Sequence, residues 1–578
     1  MTTTGARALT GTADLPAVLA GLVTSAHETA DRAALVMADG RRLTNAALLE
    51  RVQHAAAGFS ALGIGRGART VVLTPPAPDF MVVMFALLAC GAVPVLIDPG
   101  IGPRRVRAAL PAVAPVAFVG SRRAHVARRL LGLAPTARHL VLTEGDRPSR
   151  SVTGSGVVSL DDVERAGRNT GTGWRPQADA YDAALLFTSG STGAPKAAVY
   201  RHPHFAAQLA ALRTTYDLRP GEVTVATFPP FALFGPALGQ TTVLPTMDFT
   251  RPASADPTHL RAVVADHRAD LLFASPALLA SLAHHGRPLP SLRLVLSAGA
   301  PVPTHVVAAI DALLPDGAAV STPYGMTEAL PVSAIAGDEL RAAAGLHDPP
   351  RGVCVGRPVP GTAVTVVGVD DAPLATIDDA AALPDGQVGE LVVAGPQVTE
   401  SYVDRPDATA RAKTTWDGRT AHRTGDLAWR DAQGRLWFCG RTVHRVRTDR
   451  GPLDPLPVEQ LVLDHPHVWR AALVGVPDGA VQRPVLVVQH TADATSLLRR
   501  WSPEGRARRR ALVADLRARL DAHPHGAAVS DVLLRSRMPV DARHNAKIGY
   551  EQLARWVVAR ERRRPAWVGR RAFGGGAT

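Results

Sequence analysis

Between about residue 30 and residue 440, short apolar runs alternate with segments rich in alanine and leucine. The runs RTVVLTPP (69–76), VPVLIDP (93–99), VAFVGS (116–121), HLVLTEG (139–145), AALLFTSG (183–190), ADLLFASP (269–276) and RLVLSAG (293–299) read as strands. Several end in Gly, Ser or Pro, which punctuate a strand where it feeds a loop. Strands alternating with helices predict α/β layers, with sites on the loops at one sheet edge. The longest uncharged run, Phe80 to Ile97, reaches the length of a membrane-helix candidate. Gly91 and Pro94 interrupt it, so it is expected to be a buried helix followed by a core strand, and no membrane span is expected.

The texture changes after GRLWFCGR (434–441). A proline-rich stretch, GPLDPLPVEQL, precedes short strand-like runs at RAALVGVP and RPVLVVQH and a helical segment near 506–522. The expected fold is α/β, with a large multi-sheet N-terminal domain over 1–440 and a smaller, mobile α+β domain over 441–578.

Composition adds compartment and partner class. At 578 residues, 46% hydrophobic and 20% charged, the chain is expected to be a soluble globular protein with more than one core. Three cysteines (Cys90, Cys354, Cys439) without a CxxC pair argue against a disulfide framework or a structural zinc site and favour the cytoplasm. The N-terminus lacks the charged start and apolar core of a secretory signal. The net charge of +13 raises nucleic acid as a partner, but arginine is spread along the chain and no zinc-finger, RNA-recognition or basic-zipper pattern accompanies it. No nucleic-acid partner is expected, and the basic C-terminal cluster reads as a solvated tail.

Of 64 basic residues only Lys196, Lys413 and Lys547 are lysine. Lys196 closes the loop Thr188-Ser189-Gly190-Ser191-Thr192-Gly193-Ala194-Pro195-Lys196, with four hydroxyls, two glycines and one cation. Glycines let backbone amides approach an anion, and lysine supplies a compact charge that follows a moving phosphate. The spacing is not GxxxxGK[ST], so this is not the common NTPase phosphate loop.

FTSGSTGAPK resembles the signature loop of the adenylate-forming superfamily. STPYGMTE (321–328), RTGDLAW (423–429), GRTVHRVR (440–447) and PVDARHNAKIGY (539–550) follow in that superfamily's order. The resemblance implies ATP and Mg²⁺ as cofactors and activation of a carboxylate as an acyl-adenylate. It implies that the loop from Thr188 to Lys196 grips the β- and γ-phosphates, that Glu328 holds Mg²⁺, and that Thr327 lies beside the α-phosphate. Tyr324, with Gly325, packs on adenine close to Gly299, Ala300 and Pro301. Asp426 takes the ribose hydroxyls, Arg441 lies nearby, and Lys547 enters from the small domain. Lys413 matches none of these positions and is expected on the surface. Ala197 stands where the superfamily commonly has glycine, which is tolerable if the backbone angle is ordinary.

The acyl acceptor is read from departures. His444 occupies the hinge position where most acyl-CoA ligases have aspartate, and the following RVRTDRGPLDPLPVEQ is lengthened and proline-rich, with only Glu459 in its expected place. TFPPFALFGPALG (227–239) has Ala232 where many ligases carry histidine. The whole set is most similar to the OleC-type β-lactone synthetases of olefin and β-lactone biosynthesis. That resemblance implies a long-chain 2-alkyl-3-hydroxy fatty acid, whose own β-hydroxyl closes the ring and expels AMP. His204, Phe205, Phe231, Phe234, Pro331 and Val332 are candidates for the acyl pocket. His204 and His444 are candidates to assist the hydroxyl, against the blander roles of shaping the pocket and serving the hinge. A condensing enzyme, a reductase and a lactone decarboxylase are the implied partners. A fatty acyl-CoA or fatty acyl-AMP ligase remains the alternative, and a non-catalytic binding protein on a ligase scaffold the third reading.

Overall fold

The computed structural model describes residues 15–143, 156–170, 182–188, 195–491, 494, 502–540 and 548–562. Every strand expected between residues 69 and 299 is present: Arg69–Leu73, Val93–Leu96, Ala117–Gly120, His139–Leu142, Asp182–Thr188, Leu271–Phe273 and Leu294–Leu296. The first five belong to a seven-stranded sheet that is parallel except for its last strand, Lys196–Arg201, which turns back antiparallel on Asp182–Thr188. The other two belong to a 14-stranded sheet. Apart from the antiparallel edge strand Arg42–Thr44, that sheet is parallel as far as Leu294–Leu296 and Ala319–Met326, then antiparallel through Ala329–Ala336, Val353–Pro358, Leu436–Arg441 and Arg419–Arg430.

The apolar run from Phe80 forms the helix Pro78–Ala89 and then the strand Val93–Leu96, as its interruptions predict. Residues 80–89 are all buried, because the helix lies in the core between the two sheets, with Val119 and Val141 of one and Leu244 and Leu296 of the other. No helix among the described residues is long and apolar enough to cross a membrane.

Two helices beside it, Asn45–Ala61 and Leu160–Thr170, cross through glycine. A Cβ on Gly167 would stand 1.9 Å from the carbonyl oxygen of His54, and one on Gly58 would stand 2.0 Å from that of Val163. Arg51 then ties the three helices, with its guanidinium 2.7 Å from Glu164 and 2.9 Å from Asp79.

From Val446 onward the chain packs on itself. Strands Val468–Asp478, Val481–His490 and Asp531–Arg535 form a three-stranded sheet, with helix Pro503–Asp521 on its flank. The apolar clusters on its two faces draw only on residues from Val446 onward. The side-chain amide of Gln460 bridges back to the other part of the chain, donating to the Gly352 carbonyl (3.1 Å) and accepting from its N–H (3.0 Å). All three cysteines are free. The basic tail beyond residue 562 lies outside the described residues.

The glycine crossing is testable. Gly167→Ala must push helix 160–170 off helix 45–61, at a cost of about 1–3 kcal/mol. Thermal and denaturant unfolding should show that loss for Gly167→Ala and for Gly58→Ala, and less than their sum in the double variant, because both force apart the same helix crossing.

Candidate functional site

The site lies where the large sheet changes from parallel to antiparallel. Strand Ala319–Met326 runs beside Leu294–Leu296, so the loop Ser297–Pro301 leaves the sheet next to Thr322–Tyr324. Its other neighbour, Ala329–Ala336, follows through a tight turn that presents Thr327 and Glu328. Gly299 has a φ of +99° and is exposed with Pro301, which keeps this loop open at the sheet edge. Gly325 is tightly surrounded: a Cβ there would stand 2.8 Å from Leu330 Cδ1 and 3.0 Å from the Ala329 carbonyl oxygen, so its neighbours would have to shift.

Tyr324 donates its hydroxyl to Asp426 Oδ2 at 2.6 Å. Asp426 lies in strand Arg419–Arg430 directly opposite Arg441 of the next strand, and Arg441 Nε is 2.8 Å from Asp426 Oδ1. Burial and the Asp426 charge push the Tyr324 phenol well above its ordinary value, so it remains a donor. The strand is pinned from below by Glu390, which takes Arg423 at 2.6 Å and the Gly425 N–H at 3.1 Å. Three expected nucleotide residues thus converge from three motifs.

A second group assembles around Tyr402. Lys196 starts the strand after the signature loop, and its Nζ is 5.0 Å from the Tyr402 ring centre. Tyr402 donates to Glu328 Oε1 at 2.6 Å. Burial lowers the Lys196 pKa, opposed by the negative charge of Glu328. Thr188 pairs with Lys196 across the hairpin. Ser189, Gly190, Ser191, Thr192 and Gly193 at its tip lie outside the described residues, as does Lys547. Ala197 is an ordinary strand residue with no left-handed φ, which explains why glycine is dispensable there. Thr327 is held by its carbonyl, which accepts from the Tyr200 hydroxyl.

Lys413 corrects the sequence expectation. It is not on the surface: only 8% of the residue is exposed, and its Nζ donates to Thr399 Oγ1 at 3.2 Å. Its ammonium is 5.9 Å from the same Tyr402 ring. Burial pushes its pKa down to about 7. Sequence reasoning passed over Lys413, Thr399 and Tyr402 because they carry no recognised motif. The rarity of lysine was the available signal, and it applied to Lys413 as much as to the other two.

The acyl candidates divide. Phe231 stacks on Phe273 (4.2 Å between centres) and meets Phe234 edge-on at 6.1 Å. Phe205 stacks on Tyr200 at 4.9 Å. His204 Nδ1 accepts the Arg201 N–H at 3.0 Å, capping helix His202–Tyr216, so the ring proton sits on Nε2. Burial, then Arg201, lowers its pKa to about 4, which leaves it a poor base. Pro331 accepts from Gln397 through its carbonyl (2.8 Å), and Val332 is fully buried among Ala329, Val355 and Val364. Val332 therefore faces this cluster, apart from the phenylalanines.

His444 ends a short turn after Arg441 and stacks on Tyr550 at 4.2 Å and 21°. Burial, then Arg441, pushes its pKa down to about 4. The Tyr550 hydroxyl donates to Glu459 Oε1 at 2.9 Å, and the same carboxylate accepts the Leu473 N–H.

Chemically, the arrangement offers a half-buried carboxylate, Glu328, hydrogen-bonded to Tyr402, whose ring also carries the Lys196 ammonium. No group of three or more His, Cys, Asp or Glu gathers among the described residues. That donor set fits Mg²⁺, a hard cation that binds through one or two carboxylates with substrate phosphates and water, and does not fit a metal needing an all-protein cage.

A family described as AMP-binding enzyme matches residues 22–403. An olefin β-lactone synthetase of Xanthomonas campestris pv. campestris is 46% identical over 557 residues, 94% of this chain and 97% of that protein. One from Stenotrophomonas maltophilia is 48% identical over 513 residues, 87% of this chain and 89% of that protein. Among solved structures, the amide bond synthetase McbA of Marinactinospora thermotolerans superposes with a TM-score of 0.73 at 23% identity, covering 94% of this chain and all of McbA. O-succinylbenzoate CoA synthetase of Bacillus subtilis, solved with ATP and magnesium, superposes with a TM-score of 0.68 at 19% identity, covering 92% and 98%. These superpositions bear on the fold.

Glu459 sets a pH test. Its folded pKa is raised to about 7 by burial, against an ordinary 4.5. Over that window the folded state binds the extra proton, so stability contributed at this position falls as pH rises from about 4.5 to 7 and stays low above. Glu459→Gln should be more stable than the parent at pH 8, by on the order of a few kcal/mol, with the gap closing towards pH 4.5. Melting midpoints of both proteins across that range measure it.

Proposed function

The chain belongs to the AMP-binding enzyme family, and on that premise we propose that it is an ATP-dependent β-lactone synthetase acting on a long-chain 2-alkyl-3-hydroxy fatty acid. The observation that carries the acceptor is the alignment, along almost their whole length, with two proteins named olefin β-lactone synthetase. The departures at His444 and in the stretch that follows it support the same acceptor, since an internal hydroxyl needs no thiol route.

In the first step a carboxylate oxygen bonds to the α-phosphorus of ATP, and the bond to the β-phosphate oxygen breaks, releasing pyrophosphate. Negative charge concentrates on the phosphate oxygens, so fixed cations lower the barrier. Lys196 and the loop beginning at Thr188 hold the β- and γ-phosphates, and Lys547 enters from the 441–578 domain. Glu328 would hold Mg²⁺, which neutralises phosphate charge when bound. Thr327 lies by the α-phosphate, and Tyr324 packs with Gly299, Ala300 and Pro301 around adenine. Asp426, set between Tyr324 and Arg441, accepts the ribose hydroxyls.

In the second step the β-hydroxyl oxygen bonds to the acyl carbon, the bond from that carbon to the AMP phosphate oxygen breaks, and the hydroxyl proton passes to the departing phosphate. Ring strain opposes closure, but the anhydride is an activated donor and the attack is intramolecular, which recovers several kcal/mol of orientation cost. Water must be kept from the anhydride. The stacked Phe231 and Phe273, with Phe234 and Phe205, supply an apolar side for the chain, and His204 shapes it as a neutral ring. The enzyme would work in the cytoplasm. A condensing enzyme and a reductase would supply its substrate, and a lactone decarboxylase would consume its product unless the lactone is the end of the pathway.

Product analysis without CoA decides the acceptor. Incubation with ATP, Mg²⁺ and a 2-alkyl-3-hydroxy acid should yield one AMP and one pyrophosphate per lactone. Strict dependence on CoA, with turnover of unhydroxylated acids, would establish an acyl-CoA ligase instead. Lys547→Ala should lower acid-dependent pyrophosphate release at least 100-fold, an order set by loss of a transition-state cation. No pyrophosphate from any acid would leave the binding-protein reading.

A further inference from the structure

Lys413 has no task in the scheme above. It opens strand Lys413–Trp416 opposite His422, and among the described residues it makes no ion pair. Burying an ammonium without a paired carboxylate costs the fold several kcal/mol, and arginine or an apolar residue is the ordinary alternative in this chain. Its one hydrogen bond leads directly to Glu328. Thr399, which accepts from Lys413, donates through its hydroxyl (3.2 Å) and its N–H (2.9 Å) to the Glu328 carbonyl. Tyr402, three residues on, donates to Glu328 Oε1, and its ring stands between five and six ångströms from both Lys196 and Lys413. Tyr402 is fixed in turn: its N–H donates to Thr409 Oγ1 at 3.0 Å, and the neighbouring Ser401 carbonyl and Val403 N–H bond to strand 196–201. The segment 399–402 therefore grips Glu328 by both main chain and carboxylate, and commits Oε1 to one partner.

We propose that Lys413, Thr399 and Tyr402 form a buried brace that aims the Glu328 carboxylate, with Lys413 and Tyr402 as positioning residues for binding of MgATP. Burial keeps Lys413 from touching substrate. In its protonated form it attracts the Glu328 carboxylate through a little-screened interior, and its amine lies 5.9 Å from the centre of the Tyr402 ring that donates to that carboxylate. The proposal rests on the adenylation step and is independent of the acyl acceptor.

Removing a buried unpaired amine separates the brace from simple packing. If Lys413 served the fold alone, Lys413→Met would leave nucleotide binding where it was, or would lower it only together with the melting midpoint. A residue kept for function at a cost in stability behaves oppositely. Lys413→Met is expected to melt at or above the parent temperature. Its Kd for MgATP by titration calorimetry, and the Mg²⁺ concentration giving half-maximal pyrophosphate release, should both rise about 10-fold, the usual scale for a partner behind a metal ligand. Tyr402→Phe keeps the ring and loses only the hydrogen bond, and it should show the same two shifts with an unchanged midpoint. MgATP affinity and Mg²⁺ requirement within twofold of the parent in Tyr402→Phe would overturn the brace, whether or not Lys413→Met folds. A parent that binds MgATP and releases pyrophosphate but makes no lactone would refute the acceptor and leave the brace standing.

Discussion

The hydrogen bond from Tyr324 to Asp426 joins two stretches of chain a hundred residues apart, and the site takes its shape from it. Tyr324 stands at the end of the last parallel connection of the large sheet, while Asp426 stands in its antiparallel part. The bond closes only if the sheet continues unbroken through Ala329–Ala336, Val353–Pro358 and Leu436–Arg441. Because Arg441 faces Asp426 in register, the same pairing delivers the cation that answers this carboxylate. Glu390 repeats the device one layer down, where Arg423 and the Gly425 amide fix the turn in the strand. A buried ion pair is weak evidence for stability but good evidence for a fixed geometry, since losing one partner strands the other. Strand register, more than any single contact, thus brings Tyr324, Asp426 and Arg441 together.

The strands were legible because their apolar runs are short and end in residues that break strands. The helix from Pro78 was legible because Gly91 and Pro94 divide it from the strand that follows. The expected nucleotide residues could be named because they sit in ordered motifs, and the structure brings Tyr324, Asp426 and Arg441 into contact. Lys413 was not: whether a lysine is buried depends on what packs over it, and the strand pairing that covers it, with His422 opposite, carries no local signature. Tyr402 is hidden for the same reason, since its partner Glu328 is 74 residues away in sequence. His204 and Val332 show what motif position leaves unsaid: a backbone amide binds Nδ1 of the first, and core packing surrounds the second.

The junction after Gly440 bears on the acceptor through a different kind of contact. A neutral imidazole stacked on a phenol is held by area and shape, and its strength does not change when phosphate charge arrives or leaves. His444 is such a ring, because burial and Arg441 hold it uncharged at neutral pH. Its partner Tyr550 is tied through Glu459 to strand Val468–Asp478, within the core of the C-terminal part. The stack therefore links the strand that carries Arg441 to the segment that resumes just after Lys547. An acid that carries its own nucleophile asks for both steps in one closed, dry site, with no second substrate admitted between them. A junction fastened by packing of an uncharged ring matches that requirement. The remodelled stretch from His444 to Glu459 is accordingly best understood together with Tyr550, as one contact whose halves lie a hundred residues apart.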